Sequence, residues 1–488
     1  MEEEVYMSKT KSKGNKVIVR CVGKSAEEVT GSMYHITCPT GEQILLDAGL
    51  YQTSSKPYEA YKINNRKFDF KPEELTAVVL SHIHSDHAHA IPKLVKSGFN
   101  GKIYTQYKTL DFFEPMLMDS AKIMGRDALM FSKRLNQDVK PIYTPEDVQP
   151  ALKMLVGIKY NEEVKISDNV TLVLKSAAHI IGSSQIILYI KTPSGSVRKV
   201  TYVGDLGNTL FDQPFTEEFD PVIKTNLLIG ECTYNSPLKS VKNGQREKDL
   251  EKLESAIRET CFNKRGKVLI PTFALARTEC ILYYIWQIFK DDPEFKIPVI
   301  VDSPLAVKLI KCFEDNLTGQ DSITFSEMLQ WKNLRLVESY EESAALVKDS
   351  TSKVILSSSG MLTQGRSVIW LMDILPRSNS TVITVGYMAE GSVGRLIKEG
   401  KKEAIKINGK YYDNRCSIVN LTSFSGHAQF ESLIQYYSNI SNNGCETIAL
   451  VHSNDGKLEF KKALEEKISS IGKTTRVIAT TKDQVIRF

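Results

Sequence analysis

No stretch of this sequence approaches the roughly 18 consecutive apolar residues that a membrane-spanning helix needs. The longest apolar run, 280–289, is short and is interrupted by Gln287. The opening residues, MEEEVYMSKTKSKGNK, are charged and lack an apolar core, so no secretory signal is expected and the cytoplasm is the expected compartment. Residues 1 to about 14 read as a loose polar tail, with Met7 as an alternative start. The eight cysteines are scattered and no pair has CxxC spacing, which disfavours a zinc ribbon and leaves reduced thiols as the expectation. A large excess of one charge is also lacking. The net charge of +5 permits an anionic partner without demanding one. Internal repeats and low-complexity segments are absent as well. Histidine is scarce, with eight in 488 residues.

What is present is an ordinary globular composition, 42% hydrophobic and 25% charged, which argues against disorder as the main state. The length suits about three domains, or two large ones. Short apolar runs at 17–22, 33–37 and 43–46 predict a β-rich opening around a turn at Pro39-Thr40-Gly41. From there to about 235 strands mix with helices. LTAVVL at 75–80, and 171–174, 199–203 and 227–229, read as strands, and 90–96 as a helix. From about 236 to 395 helical patterns at 247–260 and 277–289 alternate with short β-rich runs at 268–271, 297–301, 354–356 and 381–385. Such alternation is the mark of a parallel α/β sheet. Beyond 396 short strands return, the clearest at 447–451 and 476–480.

Four of the eight histidines fall within 81–90, SHIHSDHAHA, directly after the LTAVVL run. His82 and His84 are two apart and share one face of an extended chain. Asp86 and His87 follow where the chain bends toward a helix. Crowding three imidazoles and a carboxylate without a cation would bury polar groups with few partners. Such a donor set suits Zn²⁺, with Mn²⁺ or Fe as substitutes. His89 reads as a helix-face histidine rather than a ligand.

HxHxDH is the signature of the metallo-β-lactamase fold, and the sequence resembles that superfamily elsewhere too. Asp47 in ILLDAG matches its first motif, His179 in SAAHIIGSSQ its third and Asp205 in TYVGDLGN its fourth, in the expected order. LLIGECTY at 227–234, with Glu231 as its acid, resembles motif A of the β-CASP nucleases. GKVLIPTFALAR, IPVIVDSPLA, SSSGML and GYMAEGSVGRLI resemble further β-CASP landmarks. TSFSGHA at 422–428 is read as motif C, and LVHSNDGK at 450–457 as a C-terminal element. The resemblance runs from about residue 17 to the end. It is nearest to the bacterial and archaeal ribonucleases similar to the cleavage-and-polyadenylation endonuclease subunit.

The resemblance implies a metallo-β-lactamase αββα sandwich from 1–235 and 396–488, with an α/β β-CASP domain, 236–395, inserted over the metal cleft. It implies two Zn²⁺ ions, Mn²⁺ being an alternative. One would be held by His82, His84, His179 and Asp205, the other by Asp86, His87, Asp205 and His427, with Asp205 bridging and Asp47 lying beneath the site. Water activated between two metals would attack a phosphodiester in line. His427 leans the substrate toward RNA, because DNA-acting members often carry Val there. Many members place a further histidine beside the motif A acid to protonate the leaving oxygen, yet none occurs between His179 and His427. The general acid could then be His452 folding back, Glu231 with Arg395 stabilising charge, or water. Substitution of His452 is accordingly expected to cost activity far more than metal content.

Phosphates of the RNA would meet Arg277, Ser358-Ser359-Gly360 after a strand, and Gly391-Ser392 before a helix. Turn chemistry and a solvated helix-face arginine are the competing readings of these sites. The basic stretches 239–267 and 398–402 read mainly as solvated faces. The expected function is a zinc-dependent ribonuclease on single-stranded RNA, endonucleolytic with 5′-exonuclease activity as a further mode. A homodimer is compatible with the sequence. The alternatives are a DNA nuclease or small phosphodiester hydrolase, and a non-catalytic RNA-binding subunit.

Overall fold

The computed structural model describes residues 14–53, 56–211, 213–386, 388, 391–401 and 403–488. The expected tail over 1–13 and three residues of the 386–397 motif lie outside the described residues.

Two seven-stranded sheets pack face to face. The first runs Val485–Arg487, Ile18–Cys21, Tyr34–Thr37, Gln43–Leu46, Ala77–Val79, Lys102–Gln106, Leu155–Ile158. The second runs Arg476–Ala479, Thr447–Val451, Leu227–Glu231, Val197–Tyr202, Ser184–Lys191, Val170–Ser176, Val164–Lys165. Alternation along each strand builds the core between them, because successive side chains point to opposite faces. Val170, Leu172 and Leu174 face Ile36, Ile44 and Leu46 across the sandwich, whereas Val173 between them points outward beside Ile187 and Val222. The outward face of the first sheet, with Leu45, Val78 and Ile103, is covered by the helices Ile91–Lys96, Leu110–Leu135 and Pro145–Leu152. That of the second, with Leu228, Ile448 and Leu450, is covered by Phe430–Asn442 and Lys457–Ser470. The result is the expected αββα sandwich. The 26-residue helix Leu110–Leu135 was not foreseen, although Phe113, Leu117 and Ala121 recur at helical spacing on its buried side.

A third, wholly parallel sheet forms the inserted α/β unit. Its order is Leu334–Val337, Val299–Asp302, Lys353–Ser357, Lys267–Pro271, Thr381–Val385, Ser417–Leu421. Both faces are apolar and helix-covered, as parallel sheets require. Leu253, Ile281 and Ile285 pack on one face, and Trp370, Leu371 and Ile374 on the other. The strand Ser417–Leu421 lies beyond the expected boundary at 395 and still pairs with Thr381–Val385. Membership of the third sheet therefore extends to Leu421. The short strands after 396 look in the sequence like a return to the sandwich, but Ile405–Ile407 and Lys410–Tyr412 pair with each other, and Ser417–Leu421 joins the third sheet. No helix among the described residues is long and apolar enough to cross a membrane, and all eight cysteines are free.

Several strands deliver chemistry at one edge of the sandwich. Asp47 follows Gln43–Leu46, the histidine cluster follows Ala77–Val79, His179 follows Val170–Ser176, and Asp205 follows Val197–Tyr202. Glu231 ends its strand, and His452 is the first residue after Thr447–Val451. All of these are carboxyl ends, and within each sheet the strands concerned run in the same direction.

Candidate metal centre

The chain leaves Ala77–Val79 extended and turns into the short helix Ser85–Ala88 at His84. His82 and His84 therefore converge, Nε2 on Nδ1 at 3.0 Å, while Asp86 and His87 enter from the first helical turn. Beneath them Asp47 is fully buried in a left-handed conformation with φ 57°. Its Oδ1 accepts the Ser81 backbone N–H at 2.7 Å. Its Oδ2 accepts from the Ser81 hydroxyl at 2.7 Å and the Tyr202 hydroxyl at 2.8 Å, and lies 2.7 Å from His87 Nδ1. A carboxylate can only accept, so His87 carries a proton on Nδ1 and turns its Nε2 toward the cluster. His179 is oriented in the same way. Its Nδ1 lies 3.2 Å from the Gly426 carbonyl, leaving Nε2 inward.

Asp205 stands at the centre. Its Oδ2 lies 3.7 Å from His82 Nε2 and 3.8 Å from His179 Nε2. Its Oδ1 lies 3.3 Å from His87 Nε2 and 3.5 Å from His452 Nδ1. The two oxygens of one carboxylate thus face two separate donor sets. His82, His84, His179 and Asp205 form one group with ligand atoms all within 4.8 Å, and Asp86, His87 and His452 form another. Burial, reinforced by neighbouring imidazoles, lowers the proton affinity of His82 and His179 and pushes His84 to about 4. Neutral imidazoles are the form that ligates metals. His179 Nε2 and Asp205 Oδ1 are buried with no hydrogen-bond partner. Each would cost about 1–3 kcal/mol if left so, a penalty that a cation removes. The donor set, its convergence and these unmatched atoms fit a pair of divalent ions.

Two histidines stand elsewhere in the site than expected. His452, foreseen as a general acid, points its Nε2 at Asp86 Oδ2, 3.4 Å away, and completes the second donor set. The strand Thr447–Val451 pairs with Leu227–Glu231 and so carries His452 to that edge, with its backbone N–H held by the Ser25 carbonyl. His427, foreseen as a ligand of the second ion, turns its Nδ1 toward Glu231 Oε1 at 3.4 Å. Glu231 is fully buried and also accepts the backbone N–H groups of Leu206 and Thr233. Asp205, Glu231 and His427 also fall within 4.8 Å of one another, but both Glu231 oxygens are already engaged by N–H donors. Burial disfavours the charged His427, yet Glu231 outweighs it and raises its proton affinity above the ordinary value. His427 is thus the histidine that stands beside the motif A acid.

The remaining expected residues divide. Arg277 opens the helix Arg277–Phe289 and lays its guanidinium against Gly426. Its Nη2 is the atom that lies against Gly426, and its Nη1 is buried without a hydrogen-bond partner. Ser358, Ser359 and Gly360 follow Lys353–Ser357. The Ser358 hydroxyl accepts from Ser303, and Gly360 lies against the Thr272-Phe273 backbone. Ser392 is buried and its hydroxyl accepts the Arg395 N–H, capping the short helix Val393–Lys398, so turn chemistry explains it and exposed Gly391 before it. Arg395 bonds Glu399 on its own helix at 2.6 Å rather than Glu231. His89 is 4% exposed and stands outside the donor groups.

Three family models match: the metallo-β-lactamase superfamily over residues 27–217, the Beta-Casp domain over 278–397, and the Zn-dependent metallo-hydrolase RNA specificity domain over 411–477. The chain is 31% identical over 441 residues to "Ribonuclease TTHA0252" of Thermus thermophilus, covering 89% of this chain and 93% of that relative. It is 28% identical over 454 residues to "Transcription termination factor FttA" of Methanocaldococcus jannaschii, covering 89% and 67%. It is also 28% identical over 409 residues to the "RNase J-like protein" of that organism, covering 82% and 84%. With identity of that level over nearly the whole length, and the metal-ligand geometry in place, the chain belongs to the β-CASP ribonuclease family of the metallo-β-lactamase superfamily.

Proposed function

We propose that this protein is a two-zinc ribonuclease that hydrolyses phosphodiester bonds within single-stranded RNA, with trimming from the 5′ end as a second mode. The observation that carries this reading is the divided Asp205 carboxylate, one oxygen toward each donor set. His82, His84, His179 and Asp205 would hold one ion, and Asp86, His87, His452 and Asp205 the other. The pair supplies Lewis acidity to the phosphodiester and lowers the pKa of the attacking water.

The chain's own groups then do the rest. Arg277, with its guanidinium against Gly426 and its Nη1 unpartnered, holds a non-bridging oxygen of the scissile phosphate. His427, kept protonated by Glu231, gives its proton to the departing oxygen. Asp47 keeps His87 in the ligating tautomer. Ser358, Ser359 and Gly360 bind a backbone phosphate further along the strand. The inserted unit, which we place at about 236–421, covers the RNA on the side opposite the sandwich.

The test uses 5′-labelled single-stranded RNA with the purified protein, with and without chelator, beside an Asp86→Ala/His87→Ala variant. Internal fragments that disappear with chelator and in the variant are expected. RNA left intact by protein that carries two zinc ions, with DNA or a cyclic dinucleotide cut in its place, would overturn the substrate assignment.

A further inference from the structure

We propose that Asp249 and Arg246 are positioning residues for His427, so that the inserted unit aims the imidazole from a distance. The inference rests on the general-acid reading of His427. The loop bearing His427 leaves the third sheet at Leu421 and crosses to the edge of the sandwich without helix or strand of its own until Phe430. A catalytic side chain on such a loop needs its backbone held by other means.

Two side chains of the helix Gln245–Arg258 hold it. Asp249 Oδ2 accepts the successive backbone N–H groups of Thr422, at 2.7 Å, and Ser423, at 2.8 Å. Its other oxygen accepts the Gln245 amide at 2.8 Å. One carboxylate oxygen bound to two consecutive N–H groups fixes the orientation of both peptide planes. Arg246 donates from Nη2 to the Ser423 carbonyl at 2.8 Å and from Nη1 to the Tyr284 hydroxyl at 2.7 Å. Its guanidinium lies 4.4 Å from the Phe424 ring centre, with Phe211 and Tyr284 at 5.0 and 5.1 Å. Asp249 is fully buried and Arg246 is 5% exposed.

The far end of the loop is held by the sandwich. Asn208 N–H donates to the Gly426 carbonyl at 3.0 Å, Asn208 and Gln213 side chains donate to the Ser425 carbonyl, and Ala428 N–H donates to Leu206. The sandwich thus grips the backbone on both sides of His427, and the inserted unit fixes Thr422 and Ser423, from which the chain enters that grip. Buried charges of this kind are a poor device for stability alone, since well-packed apolar residues serve as well. Held against the backbone of the catalytic loop, they serve geometry. A displacement of about 1 Å can cost about a hundredfold in rate.

Single-turnover cleavage of RNA is compared with hydrolysis of bis(p-nitrophenyl) phosphate, whose leaving group departs at neutral pH without a proton. Zinc content and KM are followed in parallel. Asp249→Ala and Arg246→Ala are expected to lower kcat on RNA about tenfold to a hundredfold. Zinc content and KM should hold, and the p-nitrophenyl ester should be affected far less. Asp249→Asn, which keeps one acceptor oxygen, should fall between, and Arg246→Lys replaces Asp249→Ala if the latter does not fold. His427→Ala is the reference and should show the same selectivity more strongly. If His427→Ala slows both substrates equally, the general-acid reading fails and this inference with it. If His427→Ala is selective while the Asp249 and Arg246 variants slow both substrates alike, or neither, the positioning inference fails alone.

Discussion

His427 and His452 bear the same side chain and lie 6.1 Å apart between ring centres, yet their surroundings differ. His427 faces a buried carboxylate that is already satisfied by backbone donors. His427→Ala should therefore keep both metal ions and lose about 10²–10⁴-fold in RNA cleavage, as read by metal analysis beside single-turnover rates. His452 completes a donor set with Asp86 and His87. His452→Ala should bind about half the metal of the parent protein, with activity falling in step. That is the reverse of what the sequence led us to expect for His452. Glu279 makes a different kind of prediction. It is buried with both carboxylate oxygens lacking a hydrogen-bond partner, and burial pushes it up to about 8. Between the ordinary value of 4.5 and about 8 the folded chain keeps a proton that the unfolded chain releases. Stability therefore falls as pH rises through that window. Glu279→Gln removes the penalty. Its melting temperature should overtake that of the parent as pH is raised through the window, the gap widening by at most about 1.4 kcal/mol per pH unit. A gap that does not change with pH would show that Glu279 is ionised in the folded state.

The loops at the carboxyl ends of the strands pack so closely that single atoms set their spacing. A Cβ on Gly207 would lie 1.8 Å from the Ala178 carbonyl oxygen, between the loop that carries Asp205 and the loop that carries His179. A Cβ on Gly49 would lie 1.7 Å from the Asp86 carbonyl oxygen. Gly207→Ala should force the two loops apart and lower metal affinity by at least about tenfold. Circular dichroism should remain that of the parent, because neither strand is altered. Retention of both metal ions at parental affinity would contradict this. The same elements show what a sequence can convey. The HxHxDH cluster is legible because a strand followed by one helical turn puts all four side chains within a local segment. The pairing of His427 with Glu231 spans 196 positions and depends on how a loop returns from a sheet. No local spacing encodes it. Ser392 shows the opposite limit, since a serine before a helix reads equally as an anion site or a cap, and its burial and its bond to the Arg395 N–H become visible only in the folded chain.

Across the molecule, the candidate donor sets draw on both sheets of the sandwich, so ions held there would tie the two together. The first sheet contributes His82, His84, Asp86 and His87, and the second His179, Asp205 and His452. A chelator should thus abolish cleavage and also lower the melting temperature, with both restored by zinc. A melting temperature indifferent to chelator would mean that the donors are held together without ions. The sequence was sufficient to indicate the parallel inserted sheet, from the alternation of strands and helices over 236–395, and to single out His82, His84, Asp86 and His87 as one local donor cluster. Those follow from strand–helix alternation and from a short-range motif, both written in neighbouring residues, whereas the αββα sandwich and the roles of His179 and Asp205 were expected only from the resemblance. Only the tertiary structure decided that the inserted sheet runs on to Leu421, that His452 completes the second donor set, and that His427 faces Glu231. Each of those depends on which strand edge remains open and where a distant loop lands, and such contacts exist only once the chain has closed on itself.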